Sequence, residues 1–253
     1  MHHSKSFGRI VAVLALLGGL NGPLSAAEIR VAAAADFAAP MKTLAALFQQ
    51  ESGYTVVTSL GASGKLYAQI RKGAAFDVFL SADEEMPKRL LQEGLAITGS
   101  RFVYAIGRLV LWSAQPGFAD DTVLNRGNFS KLAIANPLYS PYGMAAKETM
   151  TKLTMWNAMQ RKLDRSDDVL QTYRMAATEK ADLAFIALSQ VMKNGKVSVG
   201  SWWLVPPEMH TPLRQSAVLL NGAQDQAAAQ AFLAFLKSEK ARKVMRGFGY
   251  ELP

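Results

Sequence analysis

The pattern of hydrophobic and polar positions along this chain predicts strands and helices in alternation. Short apolar or alternating runs predict strands, and apolar residues three or four positions apart predict helices. The predicted strands are residues 29–33, 55–59, 77–81, 103–106, 108–113, 132–135, 182–187, 201–205 and 215–220. The predicted helices are residues 37–51, 63–72, 84–93, 143–153, 168–178, 188–194, 225–237 and 239–247. This order predicts an α/β protein with mostly parallel sheets and flanking helices.

Two junctions between a strand and a helix have the composition of an anion site. The strand at 55–59 leads through a glycine-bracketed turn into a helix that opens at Ser63. Earlier, Ile29-Arg30-Val31 leads through four alanines to Asp36 and another helix. A helix start leaves N–H groups unpaired and carries the positive end of the helix dipole, which suits an oxyanion. Either junction alone is also typical of plain α/β connections, but together they predict one small anion site.

The first 27 residues are predicted to be a secretory signal peptide. Lys5 and Arg9 form a basic segment, residues 10–20 are apolar, and small residues follow up to Ala27. The apolar stretch is shorter than the roughly 20 residues that span a bilayer. We predict cleavage after Ala27, which leaves Glu28 as the first mature residue and implies export.

The absence of cysteine and the scarcity of histidine exclude several classes of function. The sequence has no cysteine, which excludes disulfides, thiolate metal sites and a lipid anchor on cysteine, so we expect a soluble periplasmic protein. Its only mature histidine is His210, which argues against a histidine metal cluster or a serine triad. We therefore expect no metal cation, no cofactor and no enzymatic activity.

The mature chain is moderately basic. Removing the two basic residues of the leader leaves 26 Lys and Arg against 20 Asp and Glu, or a net charge of +6. Because the basic residues are scattered among acids, nucleic-acid binding is not expected. The positive balance modestly favours encounter with an anionic ligand.

The predicted strands suggest two lobes. The chain is expected to cross between them near residues 106–107 and again between 206 and 215, so that lobe 1 comprises 28–106 plus 214–253 and lobe 2 comprises 107–213. Ligands of open α/β sheets bind beyond the carboxyl ends of the strands, where these lobes would face each other.

Several segments together resemble one protein family. The chain is similar to the periplasmic molybdate-binding proteins of ABC importers over essentially all of its mature length. The resemblance rests on residues 29–41, 61–70, 76–83, 135–137, 141–143, 181–185 and 247–250, of which Phe-Asp-Val-Phe-Leu-Ser-Ala-Asp and Pro-Tyr-Gly are the most specific. It implies a two-lobed periplasmic binding protein fold (type II), with two interlobe crossovers, that closes over a tetrahedral dianion.

The resemblance also implies a ligand set of neutral donors, namely hydroxyls and backbone N–H groups. By position these come from Ala35, Asp36, Ala62, Ser63, Tyr142 and the helix start at Val169. Many relatives have a tyrosine where this chain has Ala187, and Tyr142 is expected to supply that hydroxyl, as in one subgroup. The implied partners are molybdate or tungstate and a membrane permease, and the protein is expected to be a monomer.

One residue departs from the family pattern. Relatives usually have Ser, Thr or Asn at the first turn, whereas this chain has Ala35-Asp36. Molybdate offers only acceptor oxygens, so an ionised carboxylate aimed at it would repel it. We predict that Asp36 is the N-cap of the helix from Phe37, with its carboxylate turned back onto the helix; the alternative is direct contact with the ligand. Lys65 is a candidate to offset its charge.

Two other functions are compatible with parts of the pattern. A receptor of the same fold for a sulfate-like anion or a small carboxylate is one, although a carboxylate normally calls for an arginine clamp and the ligand turns contain no arginine. An exported hydrolase with Ser63 as nucleophile is the other. It would need a base beside Ser63, and only Lys65 is available nearby.

Overall fold

The computed structural model describes residues 1–2, 28–197 and 199–253. Most of the predicted signal peptide and its cleavage site therefore lie outside the described residues. The strands are β1 Glu28–Ala34, β2 Thr55–Gly61, β3 Val78–Ser81, β4 Phe102–Gly107, β5 Leu109–Ser113, β6 Leu132–Ala135, β7 Leu163–Ser166, β8 Leu183–Ala187, β9 Met192–Lys193, β10 Lys196–Val197, β11 Ser201–Leu204 and β12 Leu213–Leu219. The helices are α1 Ala38–Ser52, α2 Ser63–Arg71, α3 Glu85–Gln92, α4 Val123–Arg126, α5 Pro141–Lys152, α6 Trp156–Met159, α7 Val169–Ala177, α8 Gln226–Leu236 and α9 Glu239–Gly247. Among the residues described, no helix has the length and hydrophobicity to cross a membrane.

The first five-stranded sheet has the order β2-β1-β3-β12-β4. Its strands run in one direction except for β12, which is antiparallel to both of its neighbours. β1 and β2 pair in register from Glu28 opposite Thr55 to Ala34 opposite Gly61. Because both strands end at the same level, the turns that follow them lie side by side at one edge of the sheet.

The second five-stranded sheet has the order β11-β5-β8-β6-β7, with β5 antiparallel to its neighbours. β6 and β7 are parallel and end together, with Ala135 opposite Ser166. The helices that follow them, α5 and α7, therefore both begin at this edge. The prediction of mostly parallel sheets with flanking helices is confirmed, and the one reversed strand in each sheet is the strand that the chain enters after crossing between the sheets.

The chain crosses between the sheets twice. A single residue, Arg108, separates β4 of the first sheet from β5 of the second, and residues 205–212 lead back from β11 to β12. Each sheet has its own core. Phe37 and Phe79 are fully buried on opposite faces of the first sheet, and Trp112 is buried in the second. The predicted two-lobed fold with two crossovers is thus confirmed.

The helix predicted at 188–194 is wrong. The structure has a short 3-10 turn at Leu188–Gln190, followed by the hairpin of β9 and β10. Asn194 and Gly195 form the tip of this hairpin with φ of 52° and 74°. Asn-Gly at two positions of positive φ is the favoured sequence of a tight hairpin turn, and that local preference outweighs the apolar spacing.

The sequence pattern also missed some elements. β7 is a short edge strand with the sequence Leu-Asp-Arg-Ser, whose polar composition does not indicate a strand. α4 and α6 have only four residues each. Of these, β7 bears on the site, because its end at Ser166 leads into the start of α7 at Val169.

Candidate functional site

The six predicted site residues line one small cavity between the two lobes. The cavity has a volume of about 10 Å³, which is on the scale of a single water molecule. Its walls are Ala34, Ala35, Asp36, Gly61, Ala62, Ser63, Ala82, Ser140, Pro141, Tyr142 and Val169. The turns after β1 and β2 contribute from the first lobe, and the starts of α5 and α7 contribute from the second. The structure therefore brings together residues up to 134 positions apart in the sequence, from Ala35 to Val169.

Three helix starts meet at this cavity. α2 begins at Ser63 after Ala62, whose side chain forms no cap, and α5 begins at Pro141, where Ser140 caps the N–H of Gly143 at 3.3 Å. α7 begins at Val169. The positive ends of three helix dipoles and first-turn N–H groups thus face one point, an arrangement that favours an anion.

The cap of α7 determines which of its amides remains for a ligand. The carboxylate of Asp168 accepts hydrogen bonds from the N–H groups of Leu170 and Gln171, both at 2.9 Å. This cap does not engage the N–H of Val169, the residue that lines the cavity. The amide of Val169 is therefore the donor that α7 offers at the site.

Ser63 has a hydroxyl whose proton is available. The side chain is 1% exposed, and its Oγ accepts a hydrogen bond of 3.0 Å from the N–H of Ala82. No acceptor for its own proton occurs among the described residues. Because its oxygen already accepts a hydrogen bond and its proton is unused, the hydroxyl can donate to a ligand in the cavity.

Tyr142 supplies a second hydroxyl from the first turn of α5. Its oxygen accepts a hydrogen bond of 3.3 Å from Nε2 of Gln215. It packs against Gly107, where an added Cβ would clash with the tyrosine oxygen, so a larger residue there would displace the phenol. Burial, followed by the nearby charge of Asp36, raises the pKa of Tyr142 well above its ordinary value. The phenol therefore stays protonated and able to donate.

Asp36 is buried and does not cap a helix, contrary to our prediction. It lies in a 3-10 turn, Ala35–Phe37, that precedes α1, and it forms no side-chain cap hydrogen bond. This extra turn moves the carboxylate off the start of α1. Its Oδ2 accepts hydrogen bonds from Nε2 of Gln215 and from the hydroxyl of Tyr250 at 2.7 Å.

The second oxygen of this carboxylate is the unusual feature. Asp36 is 1% exposed, and its Oδ1 has no hydrogen-bond partner in the described part of the chain. Desolvation by burial raises the pKa of Asp36, although the hydrogen bonds from Gln215 and Tyr250 partly oppose the rise. The site thus holds an acid whose charged form is poorly stabilised.

Sequence reasoning missed the residues that hold Asp36. Gln215 is fully buried in β12 and also accepts a hydrogen bond of 2.8 Å from Tyr104. Tyr250 donates from the C-terminal segment, and Ser189 donates to the backbone oxygen of Asp36 at 2.8 Å. The available signal was Gln215, a long polar residue beside the apolar run that ends β12.

The lobes touch each other around the cavity. The N–H of Gly64 donates to the backbone oxygen of Tyr139 at 2.9 Å, and Lys65 pairs with Asp167 at 2.6 Å. Lys65 therefore offsets Asp167, not Asp36 as we had considered. The structure represents the closed arrangement of the two lobes.

A larger open cleft of about 350 Å³ borders the small cavity. It shares Ala82, Ser140 and Pro141 with the cavity, and its other walls are mainly apolar. Its charged side chains are the acids Asp83, Glu85 and Glu148. This chemistry does not suit a dianion, so the small cavity is the better candidate site.

The structure offers no support for hydrolysis or metal-cation chemistry. Within residues 28–197 and 199–253, no group of three or more His, Asp or Glu side chains is arranged to hold a metal ion. The neighbour of the Ser63 hydroxyl is a backbone amide, and Lys65 points to Asp167. Within the described residues, the Ser63 hydroxyl forms no hydrogen bond with a histidine, carboxylate or lysine that would activate it as a nucleophile.

Two α/β lobes closed over a small, donor-lined cavity define a solute receptor. A family model described as "Bacterial extracellular solute-binding protein" matches residues 29–251, and the chain belongs to this family. It is 46% identical to the molybdate-binding protein ModA of Azotobacter vinelandii over 98% of this chain and 99% of that protein. It is 44% identical to ModA of Rhodobacter capsulatus, over 94% of this chain and 93% of that protein.

A solved structure agrees with these matches. The periplasmic molybdate-binding protein of Azotobacter vinelandii superposes with a TM-score of 0.87 and 38% identity, over 89% of this chain and 99% of that chain. The resemblance identified from the sequence motifs is confirmed.

Proposed function

We propose that this chain is an extracytoplasmic receptor that binds molybdate in the small cavity between its lobes and delivers it to the permease of an ABC importer. The observation that carries the proposal is the donor set. Three helix starts and the hydroxyls of Ser63 and Tyr142 meet in a cavity whose lining contains no lysine or arginine. Such a site stabilises an oxyanion through N–H and O–H donors without a cationic side chain. The names of the similar proteins support molybdate as the ligand.

The ligand set is proposed residue by residue. Ser63 and Tyr142 donate through their hydroxyls, and Ala35, Ala62 and Val169 donate through backbone N–H groups. Asp36 adjoins the ligand as the sixth residue of the set. Tungstate has the same charge and nearly the same size as molybdate, and we propose that it binds at the same site.

The wider organisation follows from this function. Lobe 1 comprises residues 28–106 plus 214–253 and lobe 2 comprises residues 107–213, so that ligand binding holds the lobes together. The receptor acts as a monomer in the periplasm after cleavage behind Ala27, without a lipid anchor and without enzymatic activity. The proposed boundaries lie within about one residue of the end of β4 and the start of β12.

A second candidate ligand is another small oxyanion that carries a proton. The buried carboxylate of Asp36 favours it, because a carboxylate can accept a hydrogen bond from a protonated oxyanion. A small organic carboxylate is disfavoured, since the cavity lining contains no guanidinium to pair with it.

Thermal melting and small-angle scattering with and without molybdate test the proposal. A ligand at about 100 times its dissociation constant stabilises the folded state by about 2.7 kcal/mol, which is about 5–10 °C for a chain of this length. The radius of gyration of the liganded protein should fall to the value calculated from the closed structure. Sulfate at equal ionic strength is the control. Unchanged melting with both molybdate and tungstate would contradict the proposal.

A further inference from the structure

The carboxylate of Asp36 has one oxygen without a hydrogen-bond partner among the described residues, and Asp36 also lines the proposed anion site. Its Oδ2 is satisfied by Gln215 and Tyr250, whereas Oδ1 has no partner within the described residues. The same residue lines the cavity that the oxyanion is proposed to occupy. Two acceptor groups, both negative, would then meet in a closed space without water to separate them.

The groups around Asp36 do not relieve this conflict with positive charge. The titratable groups that face it are tyrosines from three elements: Tyr104 of β4, Tyr142 of α5 and Tyr250 of the C-terminal segment. Burial raises the pKa of each one well above its ordinary value, so all three stay neutral. The 3-10 turn at 188–190 and β12 contribute only the uncharged Ser189 and Gln215.

The nearest charged residues of the adjoining segments are engaged elsewhere or exposed. Arg108 at the crossing pairs with Glu251, and Lys65 of α2 pairs with Asp167. Asp168 at the start of α7 is occupied by the amides of that helix. Lys42 of α1 and Arg174 of α7 are exposed to solvent. Across residues 28–197 and 199–253, Asp36 forms no ion pair.

We propose that the liganded site holds one proton between Oδ1 of Asp36 and an oxygen of the bound oxyanion, and that this proton is taken up from solvent on binding. The inference rests on the proposed function, because it needs an oxyanion in the cavity. The balance is simple: the carboxylate, the dianion and one proton combine, and no bond to the central atom of the oxyanion changes. Asp36 then serves as a donor, as the Ser, Thr or Asn of related proteins would.

Such a shared proton also selects among oxyanions. A hydrogen bond between two acceptors that share a proton is strongest when their basicities are similar. Sulfate is a much weaker base than molybdate or tungstate, so it shares the proton less well. Asp36 therefore acts as a specificity-determining residue against sulfate. The raised pKa of Asp36, which burial causes in the closed lobes, agrees with this role.

Calorimetric titration in buffers of different ionisation enthalpy measures the proton directly. The slope of the binding enthalpy against buffer enthalpy gives the number of protons taken up. For the parent protein with molybdate, at about pH 7 to 8.5, we expect uptake of about one proton and a dissociation constant that rises about ten-fold per pH unit. Asp36→Asn should take up about zero protons and bind with an affinity independent of pH over this range.

A matched control separates Asp36 from the other buried acid near the cleft. Burial also raises the pKa of Asp83, which accepts a hydrogen bond from the N–H of Met86 in the first turn of α3 but does not line the small cavity. Asp83→Asn keeps an acceptor for that N–H and should still take up about one proton. Ser63→Ala should bind more weakly but with the same proton uptake, because a merely weaker site does not change proton linkage.

The results of these titrations test the shared proton separately from molybdate binding. Tight molybdate binding by the parent with no proton uptake would overturn the inference and leave the proposed function intact, and this holds even if Asp36→Asn fails to fold. Proton uptake that persists in Asp36→Asn, or disappears in Asp83→Asn, would overturn it as well. An absence of molybdate binding by the parent would overturn the proposed function and the inference together.

Discussion

Removing either the Ser63 or the Tyr142 hydroxyl should weaken molybdate binding, but the two changes should affect the stability of the fold differently. Ser63→Ala and Tyr142→Phe each remove one donor to the oxyanion. A hydrogen bond to a charged group contributes about 1.5–3 kcal/mol, which corresponds to about a ten-fold to 150-fold loss of affinity.

The stability effects differ because the two oxygens have different partners. The Ser63 oxygen accepts the buried N–H of Ala82 at 3.0 Å, and losing that partner costs about 1–3 kcal/mol. The melting temperature of ligand-free Ser63→Ala should therefore fall by about 2–10 °C. The Tyr142 oxygen accepts one long bond from Gln215, whose amide still donates to Asp36 after the substitution. Tyr142→Phe should therefore melt close to the parent.

Calorimetric titration with molybdate and thermal melting without ligand check both expectations. Ser81→Ala is a matched control, because Ser81 is a buried serine that bonds Asp83 and does not line the small cavity. It should bind molybdate like the parent. If Ser63→Ala and Tyr142→Phe both bind as tightly as the parent, the site has been placed wrongly. If Tyr142→Phe destabilises the ligand-free protein as much as Ser63→Ala does, the reasoning about their partners is wrong.

Three further predictions concern charge. At about pH 7, Asp36→Asn should bind molybdate about ten-fold or more tightly than the parent, since it replaces an acid with an amide donor. Weaker molybdate binding by Asp36→Asn in calorimetry would contradict this prediction. The part of the gain in affinity that shrinks with added salt is the electrostatic part. Because burial raises the pKa of Asp36 above its ordinary 3.8, the folded state keeps a proton that the unfolded chain loses. The protonated carboxyl therefore stabilises the fold at low pH, and this contribution disappears as the pH rises through the folded-state pKa. Melting curves from about pH 4 to 7 should show the parent losing stability relative to Asp36→Asn, and parallel curves would refute the linkage. Lys65→Met removes the interlobe pair with the exposed Asp167, which is worth about 0.2–1 kcal/mol, so molybdate affinity should fall by at most about five-fold and less in high salt. Lys131→Met, which removes a surface pair within one lobe, should leave molybdate affinity unchanged.

Local sequence patterns predicted the elements that position the site. The turns after β1 and β2 and the helix start at Ser63 follow from strand length, small residues and helix-opening composition, which act over a few residues. Tyr142 and Val169 entered only through the resemblance to a family, because nothing local to either residue indicates a contact with the first lobe. The cavity between them depends on how two separate sheets meet.

The environment of Asp36 could not be predicted from the sequence. The general preference of aspartate for helix N-caps predicted a capping role, but the 3-10 turn before α1 displaces the carboxylate. Its partners Gln215 and Tyr250 lie 179 and 214 residues away in the chain. Such pairings follow from the return of β12 and the C-terminal segment to the first lobe, which no periodicity within a short window encodes.

The most direct test of the account is a parallel calorimetric titration of the mature protein with molybdate, tungstate and sulfate at about pH 7. The donor-lined cavity predicts one site per chain and tight binding of molybdate and tungstate. The proton shared with Asp36 predicts weaker binding of sulfate. Absence of molybdate binding, or sulfate binding more tightly than molybdate, would contradict the central claim.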